Sequence, residues 1–337
     1  MRPLLFHHQA FLDHDTGAGH PERPERVTAA LRGARSWGGE VDERLAPEAE
    51  ITDLFGVHDR AYVETIQDFC AAGGGALDPD TSAVPASWTA ALRAVGAGLA
   101  SLQAIDDGES TVAFNVVRPP GHHALGARAM GFCLFNNVAV AADRIRGRGD
   151  RVAIIDWDVH HGNGTQDMFY TDGQVLYVSL HEFPFYPGTG WLEETGSGPG
   201  AERTINFPFP PGTAGDAYAE AFDRVVVPVL AEFAPARVLV SAGYDAHRAD
   251  PLAGVMLEAA DYQRMAAGLA SLGIPTIYFL EGGYNLAAIE ASVAATLRGA
   301  AGESASPPSA VSPRRAHQSV QMVAEAMAPH WKGVQGG

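Results

Sequence analysis

The chain has 337 residues, of which 46% are hydrophobic and 19% are charged, and its formal net charge is −17. A hydrophobic fraction of this size can build a globular core, which argues against an extensively disordered protein. The negative charge argues against nucleic acid as a partner, because phosphate binding requires lysine and arginine, and it favours cationic ligands instead.

The sequence carries no recognisable membrane or secretion signal. No apolar run reaches the roughly 18 residues of a transmembrane helix, and residues 1–10 lack the apolar centre of a signal peptide. The two cysteines, Cys70 and Cys133, cannot form a disulfide framework. We therefore expect a cytoplasmic protein that makes no membrane contact.

Short apolar runs alternate along the chain with alanine-rich segments. The predicted strands are 111–117, 151–156, 175–180, 237–241 and 275–280. The predicted helices are 87–105, 136–146, 214–232 and 259–272. Pro228 predicts a kink or break in the third helix. Continuous apolar strands are typical of sheets buried on both faces, so the pattern predicts a three-layer α/β fold whose mainly parallel sheet carries helices on both faces.

The end of the chain differs in composition from the rest. Residues 302–313 are rich in Ser, Pro and Ala, and residues 314–327 have the pattern of a short helix. We therefore predict one catalytic domain over residues 1–301, followed over residues 302–337 by a linker and a short C-terminal helix.

The strand at 151–156 leads directly into acids and histidines. If the extended conformation continues, Asp156, Asp158 and His160 lie on one face, because side chains alternate with a period of two. An acid at a strand end often caps the next helix, but two acids and a histidine together require a cation or hydrogen-bond donors. Metal binding by Asp158 and His160 is the favoured interpretation. The Gly-Asn-Gly sequence at 162–164 predicts a tight turn.

A neighbouring strand end supplies a further acid, Asp245, as a candidate third metal ligand. Two carboxylates and one histidine leave an open position, which is typical of a catalytic zinc site. Ferrous iron or cobalt would accept the same ligands. The alternative role for Asp245 is a helix N-cap.

Two further strand ends carry candidate catalytic groups. His122 and His123 follow a Pro-Pro-Gly turn, and a histidine pair beside a metal can serve as general base and general acid. Tyr284 follows two glycines, which allow close approach to a ligand, and its hydroxyl can stabilise an oxyanion. The alternatives are a surface histidine pair and a packed tyrosine.

Seven segments follow one another along the chain: HPERPER (20–26), RPPGHH (118–123), GFCLFNN (131–137), DWDVHHGNGT (156–165), SLH (179–181), SAGYD (241–245) and EGGY (281–284). In this order they resemble the zinc-dependent histone deacetylase family, within the arginase/deacetylase fold. The resemblance implies a deacetylase of the class II or bacterial class II-like kind, because asparagine stands at position 163, and a competent one, because Tyr284 matches the catalytic tyrosine.

The resemblance also implies a role for each matching residue. The implied metal ligands are Asp158, His160 and Asp245. The implied catalytic residues are His122, His123 as the general base, Tyr284, Asp156 as the partner of the first histidine, and Asn163. The implied substrate-binding residues are Gly131, Phe132, Tyr186 and Leu252. The implied ligands of structural potassium ions are Asp156, Asp158, His160, Ser179 and Leu180 at one site, and Phe169, Asp172 and Val175 at a second.

Two pocket positions depart from the family or discriminate within it. Tyr186 stands where members usually have phenylalanine, and it can add a polar contact at the tunnel rim. Leu252 stands where polyamine-selective relatives carry a glutamate, so its neutrality favours acyl-lysine over acetylpolyamine.

The resemblance therefore predicts hydrolysis of an N-acetylated amine, with acetyl-lysine side chains as the first choice of substrate. The alternatives are acetylpolyamines or other small acyl amines, a binuclear ureohydrolase of the arginase type, and a non-catalytic reader of acetyl-lysine. The ureohydrolase requires additional acids, which Asp245-Ala246-His247 does not supply. The oligomeric state stays open, a homo-oligomer included.

Overall fold

The computed structural model describes residues 2–308 and 310–336. Its centre is a sheet of eight strands in the order β2-β1-β5-β10-β9-β6-β7-β8, in which every neighbouring pair is parallel. The sheet strands are β1 Leu4–His7, β2 Asp42–Leu45, β5 Val112–Asn115, β6 Val152–Asp156, β7 Val175–Glu182, β8 Thr204–Phe209, β9 Arg237–Ala242 and β10 Thr276–Leu280. A separate antiparallel pair is β3 Gly75–Ala76 with β4 Ser82–Ala83.

Helices cover the sheet. The α-helices are α1 Ala10–Asp13, α2 Glu25–Arg35, α3 Arg60–Ala71, α4 Pro85–Asp106, α5 Asn137–Arg146, α6 Asn163–Phe169, α7 Gly215–Ala221, α8 Val227–Phe233, α9 Ala259–Ala270, α10 Leu286–Ala300 and α11 Arg314–Met327. Helix α10 packs against α2 and α9, and α4 packs against α5. The strands β5, β6, β7 and β10 are buried along their whole length, as a sheet covered on both faces requires. The predicted three-layer α/β fold is confirmed.

The five predicted strands and the predicted helices are all present, with ends that differ by a few residues. Of the kink or break predicted at Pro228, the break does not occur. Helical conformation continues from α7 through a π-helical segment, Phe222–Val226, into α8. Pro228 lies in the first turn of α8, and the local change in hydrogen-bond register accommodates its missing N–H.

The predicted C-terminal helix is α11, which packs against the edge strand β8 and against α7. Before it, Ser312 donates its backbone N–H to the carboxylate of Asp216, at 3.0 Å from each oxygen. The end of the chain thus covers a sheet edge that would otherwise be open.

None of the helices within residues 2–308 and 310–336 has the length and apolar character that a membrane span requires.

His58 is a buried histidine outside the candidate site, and it makes the fold sensitive to acid. Its Nε2 accepts the backbone N–H of Asn136 at 2.9 Å, so Nδ1 carries the proton and donates to the carbonyl of Leu125 at 3.1 Å. Burial lowers the pKa of His58 to about 4. Protonation would replace the acceptor by a second donor that faces Asn136.

We therefore expect His58→Gln to weaken the pH dependence of folding. The unfolded imidazole, with a pKa of about 6.5, takes up a proton between pH 6.5 and 4, whereas the folded one does not. The stability that the neutral, hydrogen-bonded His58 contributes is fully present above pH 6.5 and is lost as the pH falls toward 4. Between these limits the unfolding free energy of the variant should fall by about 3 kcal/mol less than that of the wild type. Urea unfolding of both proteins at pH 7 and pH 4.5 measures this difference. An equal loss of unfolding free energy in the wild type and the variant would contradict it.

Candidate metal centre and active site

The metal triad, defined as Asp158, His160 and Asp245, lies at the carboxyl edge of the sheet. Asp158 and His160 follow β6 and Asp245 follows its neighbour β9, whose ends are level because Asp156 pairs with Ser241. Nδ1 of His160 lies 3.1 Å from Asp158 Oδ1 and 3.2 Å from Asp245 Oδ2. One ligand atom from each of the three buried residues lies within 4.8 Å of the others. The predicted ligands are therefore together in space.

The route by which these residues converge differs from the predicted one. The extended conformation ends at Asp156, so the expectation that three alternating residues share one strand face is wrong. Asp156 accepts the backbone N–H of Asp158 at 3.2 Å, and Asp158 accepts that of His160 at 2.9 Å. Each aspartate thus closes a turn onto the residue two positions later. These turns aim Asp158 and His160 at Asp245 and leave Asp156 facing elsewhere.

Gly282 brings backbone against the triad. A Cβ at this position would lie 2.0 Å from Asp245 Oδ2 and 2.5 Å from Asp158 Oδ2. Its N–H donates to Asp158 Oδ2 at 2.7 Å, and the N–H of Val159 donates to Asp245 Oδ1 at 2.9 Å. The glycine is required here because any side chain would displace the carboxylates.

The donor set fits a divalent cation. Burial and the neighbouring charge of Asp158 raise the pKa of Asp245, so the pair of buried carboxylates is costly without positive charge between them. Two carboxylates and an imidazole match the ligands of catalytic zinc sites, which keep a position open. Among the described residues, this triad is the one cluster of at least three acidic, histidine or cysteine groups with metal-binding spacing.

The two tandem histidines face different partners. His122 Nδ1 lies 3.0 Å from Asp156 Oδ2, and His123 Nδ1 lies 2.8 Å from the amide oxygen of Asn163. Burial opposes charge on His122, but Asp156 and Asp158 outweigh it and raise its pKa to about 10. Burial, together with His122 and His160, lowers the pKa of His123 well below its usual value. The first imidazole is therefore held charged and the second neutral.

A narrow cavity of about 90 Å³, which we call the tunnel, leads to these groups. Its lining residues are Asp80, Pro120, His122, His123, Gly131, Phe132, His160, Tyr186, Leu252, Gly282 and Tyr284. All four predicted substrate-binding residues are among them. The ring of Phe132 lies 6.0 Å from that of Tyr284, and the ring of Tyr186 lies 5.2 Å from that of His123, both edge-on. Tyr186 is 37% exposed and forms the rim.

Gly131 shapes the tunnel wall. It has a φ of +57°, and a Cβ there would lie 2.4 Å from the ring of His123. Phe132, with a φ of +67°, shares this left-handed conformation, which is rare for a bulky residue and turns its ring into the tunnel.

Comparison with known proteins agrees with this geometry. Residues 20–300 match the histone deacetylase domain. A probable deacetylase of Archaeoglobus fulgidus is 38% identical over 83% of this chain and 80% of its own, and a histone deacetylase-like amidohydrolase of Pseudomonas aeruginosa is 39% identical over 80% and 73%. The crystal structure of the HDA15 HD domain superposes with a TM-score of 0.91 at 36% identity, covering 98% of this chain and 96% of that one.

The chain belongs to the histone deacetylase family. Its fold is the arginase/deacetylase α/β fold, and its family is one of deacetylases and related amidohydrolases.

Behind the histone deacetylase tunnel lies a buried ionic network that the sequence did not predict. The guanidinium of Arg26 binds the carbonyls of Glu281 and Gly283 and, at 2.7 Å, the carboxylate of Glu22. It also lies 5.1 Å from the centre of the Tyr284 ring. Burial disfavours the Glu22 carboxylate, but Arg118, which contacts it at 2.6 Å, and Arg26 outweigh burial and lower its pKa to about 2.

Glu281 is a second buried acid without a predicted role. It accepts the N–H groups of Gly121 at 2.7 Å and His122 at 3.2 Å, and so fixes the loop that carries the histidine pair. Burial raises its pKa to about 7. Both Glu281 and Arg26 lie in segments that resemble the family, which was the only sequence signal for them. Asp80, at the tunnel wall, lies in a polar turn without any such signal.

The predicted potassium ligands lie at two places. Asp156 pairs with Ser179 in the β6–β7 register, close to Leu180, and the Ser179 hydroxyl contacts His181 Nδ1 at 2.9 Å. Around the second predicted site, the carbonyl of Phe169 accepts the N–H of Asp172 at 3.0 Å. Val175 is the first residue of β7. Both potassium sites stay predictions.

Proposed function

We propose that this histone deacetylase family member is a zinc-dependent amidohydrolase that removes acetyl groups from lysine side chains and releases acetate. The observation that carries the proposal is that His160, the two tandem histidines and Tyr284 line one narrow tunnel, while Asp158 and Asp245 complete the metal triad directly beside His160. Asp158, His160 and Asp245 would hold the zinc. When bound, the metal supplies Lewis acidity that polarises the amide carbonyl and lowers the pKa of water.

The histidine pair divides the proton transfers. His123 is neutral and bound to an amide oxygen, so it can accept the proton of the attacking water. His122 is charged and bound to Asp156, so it contributes positive charge beside the developing oxyanion. A histidine then protonates the leaving amine as the bond to the acetyl carbon breaks. Two neighbouring groups whose pKa values are shifted in opposite directions are typical of an active site in which one group acts as the acid and the other as the base.

Tyr284 supplies the hydroxyl on the other side of the reacting carbonyl. Burial raises its pKa well above the usual value, so the phenol stays protonated and can donate to the oxyanion. Its ring is held between Phe132 and the guanidinium of Arg26.

The tunnel favours an extended alkyl chain as the bound part of the substrate. Phe132 and Tyr186 present aromatic surface to it, and Leu252 adds an apolar wall. A lysine side chain has four methylenes, which gain by leaving water. Leu252 offers no partner for the extra ammonium of a polyamine, which leaves Asp80 as the one carboxylate among the lining residues. The acidic chain, with a net charge of −17, suits a cationic peptide around the acetyl-lysine.

One assay tests this proposal against its nearest alternative. Acetate release from an acetyl-lysine peptide and from N-acetylputrescine is measured side by side, and the peptide should give the higher kcat/KM. Preference for N-acetylputrescine would move the function to a polyamine deacetylase, and no release from either would favour a non-catalytic reader. Prolonged chelation should abolish activity, and zinc, cobalt or ferrous iron should restore it. Elemental analysis showing two metals per chain would favour a binuclear enzyme.

Cellular location forms part of the same proposal. Cys70 and Cys133 are free and buried, so the fold contains no disulfide that would require an oxidising compartment. Burial raises the pKa of Cys133 well above its usual value, which disfavours the thiolate that a nucleophile requires. We propose a cytoplasmic enzyme.

A further inference from the structure

A buried aspartate lies behind two tunnel-lining residues. Asp250 follows β9 in a loop and is 7% exposed. Its Oδ2 accepts the backbone N–H of Tyr284 at 2.6 Å and that of Asn285 at 3.1 Å, and its Oδ1 accepts the N–H of Leu252 at 3.1 Å. One carboxylate therefore joins the loop that carries Leu252 to the loop that carries Tyr284.

The partners of the Asp250 carboxylate are these backbone donors, which offset part of the cost of burial: burial and the nearby Asp245 raise the pKa of Asp250 to about 6, and the three N–H groups oppose that rise. Within residues 2–308 and 310–336, no Lys, Arg or His lies within ion-pair distance of its carboxylate. Two of the donors stand at the start of α10, where Asn285 is the N-cap and the helix dipole favours negative charge. When both oxygens of a buried carboxylate accept backbone N–H groups, the carboxylate fixes the position of the backbone and does not pair with a cation.

The loop of Tyr284 needs such an anchor. It follows Gly282 and Gly283, the latter with a φ of +112°, so its own backbone imposes few restrictions. Within the described part of the chain, the loop's side-chain anchors from other segments are Arg26, which binds the Gly283 carbonyl, Asp158, which accepts the Gly282 N–H, and Asp250. Of these three residues, only Asp250 forms a hydrogen bond with the backbone of Tyr284 itself.

We propose that Asp250 is a positioning residue that sets the Tyr284 hydroxyl at the reacting carbonyl by clamping the backbone of Tyr284 against that of Leu252. This inference rests on the oxyanion-donor role of Tyr284 in the proposed function. A clamp of this kind acts on turnover, because a displacement of about 1 Å in a catalytic group can cost on the order of 100-fold in rate.

Asp250→Asn tests the clamp with little change in shape. In the wild type, both carboxylate oxygens of Asp250 accept backbone N–H groups. Asparagine has one oxygen and one NH2 group, so in either orientation its NH2 group faces a backbone N–H and one of these hydrogen bonds is lost. We expect kcat on an acetyl-lysine peptide to fall by about 10- to 100-fold, with zinc content unchanged and KM changed less than kcat. Asp261→Asn is the matched control. Asp261 is also buried and accepts a backbone N–H, that of Glu258 at 2.9 Å, but it lies at the start of α9 outside the tunnel.

A double-mutant cycle with Tyr284→Phe separates positioning from a general loss of structure. If Asp250 acts through the Tyr284 hydroxyl, Asp250→Asn should change kcat by less than about twofold in the Tyr284→Phe background. An equal loss of kcat in both backgrounds would overturn the proposal, as would full activity of Asp250→Asn alone. Should Asp250→Asn fail to fold, Asp250→Ser takes its place in the same cycle with the same criteria. Full activity of Tyr284→Phe would instead overturn the proposed function of the tyrosine, which distinguishes the two failures.

Discussion

Replacing Asp245 with asparagine should remove the metal and bring acetate release to background. The substitution keeps the shape of the side chain and an oxygen for the N–H of Val159, but it deletes one of two carboxylate charges that face His160. Loss of an outer-shell partner already costs about 10- to 100-fold in metal affinity, and loss of a direct ligand should cost more. Elemental analysis after dialysis and the acetate assay measure both effects.

The same variant should not destabilise the metal-free protein. Burial and Asp158 raise the pKa of Asp245, and the imidazole of His160, which contacts both carboxylates, offsets only part of this cost when no metal is bound. We expect metal-free Asp245→Asn to unfold at a temperature no lower than the metal-free wild type, whereas added zinc should raise the Tm of the wild type only. His247→Ala, in the same loop but outside the triad, is the control and should retain stoichiometric zinc. Zinc retention by Asp245→Asn would show that the triad is not the metal site.

The grouping of the metal ligands was predictable from the sequence, because parallel strands bring their carboxyl ends to the same edge of a sheet. Apolar runs located β6 and β9, and the residues after them, Asp158, His160 and Asp245, could then be placed together. The detailed path was not predictable by alternation. It depends on two consecutive turns closed by Asp156 and Asp158, which a period-of-two pattern does not describe.

Three sheet strands were missed for physical reasons. β2 is a polar DERL segment that pairs at one edge of the sheet, and β8 contains Pro208 and pairs at the other edge. Proline is tolerated on an edge strand because one side of the ladder has no partner. β1 is a four-residue strand without a longer apolar run around it, whereas β5, which is equally short, lies inside the longer predicted run 111–117. Edge strands obtain their conformation from their neighbours, so local sequence carries little information about them.

Positioning residues were missed because their partners are distant in the chain. Glu281 accepts N–H groups of Gly121 and His122, about 160 positions earlier, and Asp250 accepts that of Tyr284, 34 positions later. Backbone N–H groups exist at every residue except proline, so no residue type at the partner position reveals the contact. Such roles require the fold.

Tyr284→Phe should lower kcat on an acetyl-lysine peptide by about 100- to 1000-fold, the loss expected when one oxyanion donor is removed. Folding should be almost unchanged. The ring contacts with Phe132 and the guanidinium of Arg26 are available to phenylalanine, and the Tyr284 hydroxyl makes no hydrogen bond to any residue that the structure describes. Acetate release under saturating peptide measures kcat.

Comparing the effect of Tyr284→Phe on turnover with its effect on binding distinguishes an oxyanion donor from a residue that only shapes the tunnel. A donor used only in the transition state lowers kcat and kcat/KM together and leaves zinc content and the binding of a substrate-like inhibitor in place. Tyr244→Phe is the matched control, because it removes a buried hydroxyl that contacts Thr296 at 3.1 Å, outside the tunnel. A Tyr284→Phe enzyme with the kcat of the wild type would leave oxyanion stabilisation to the metal and His122, and the tyrosine would be a wall of the tunnel.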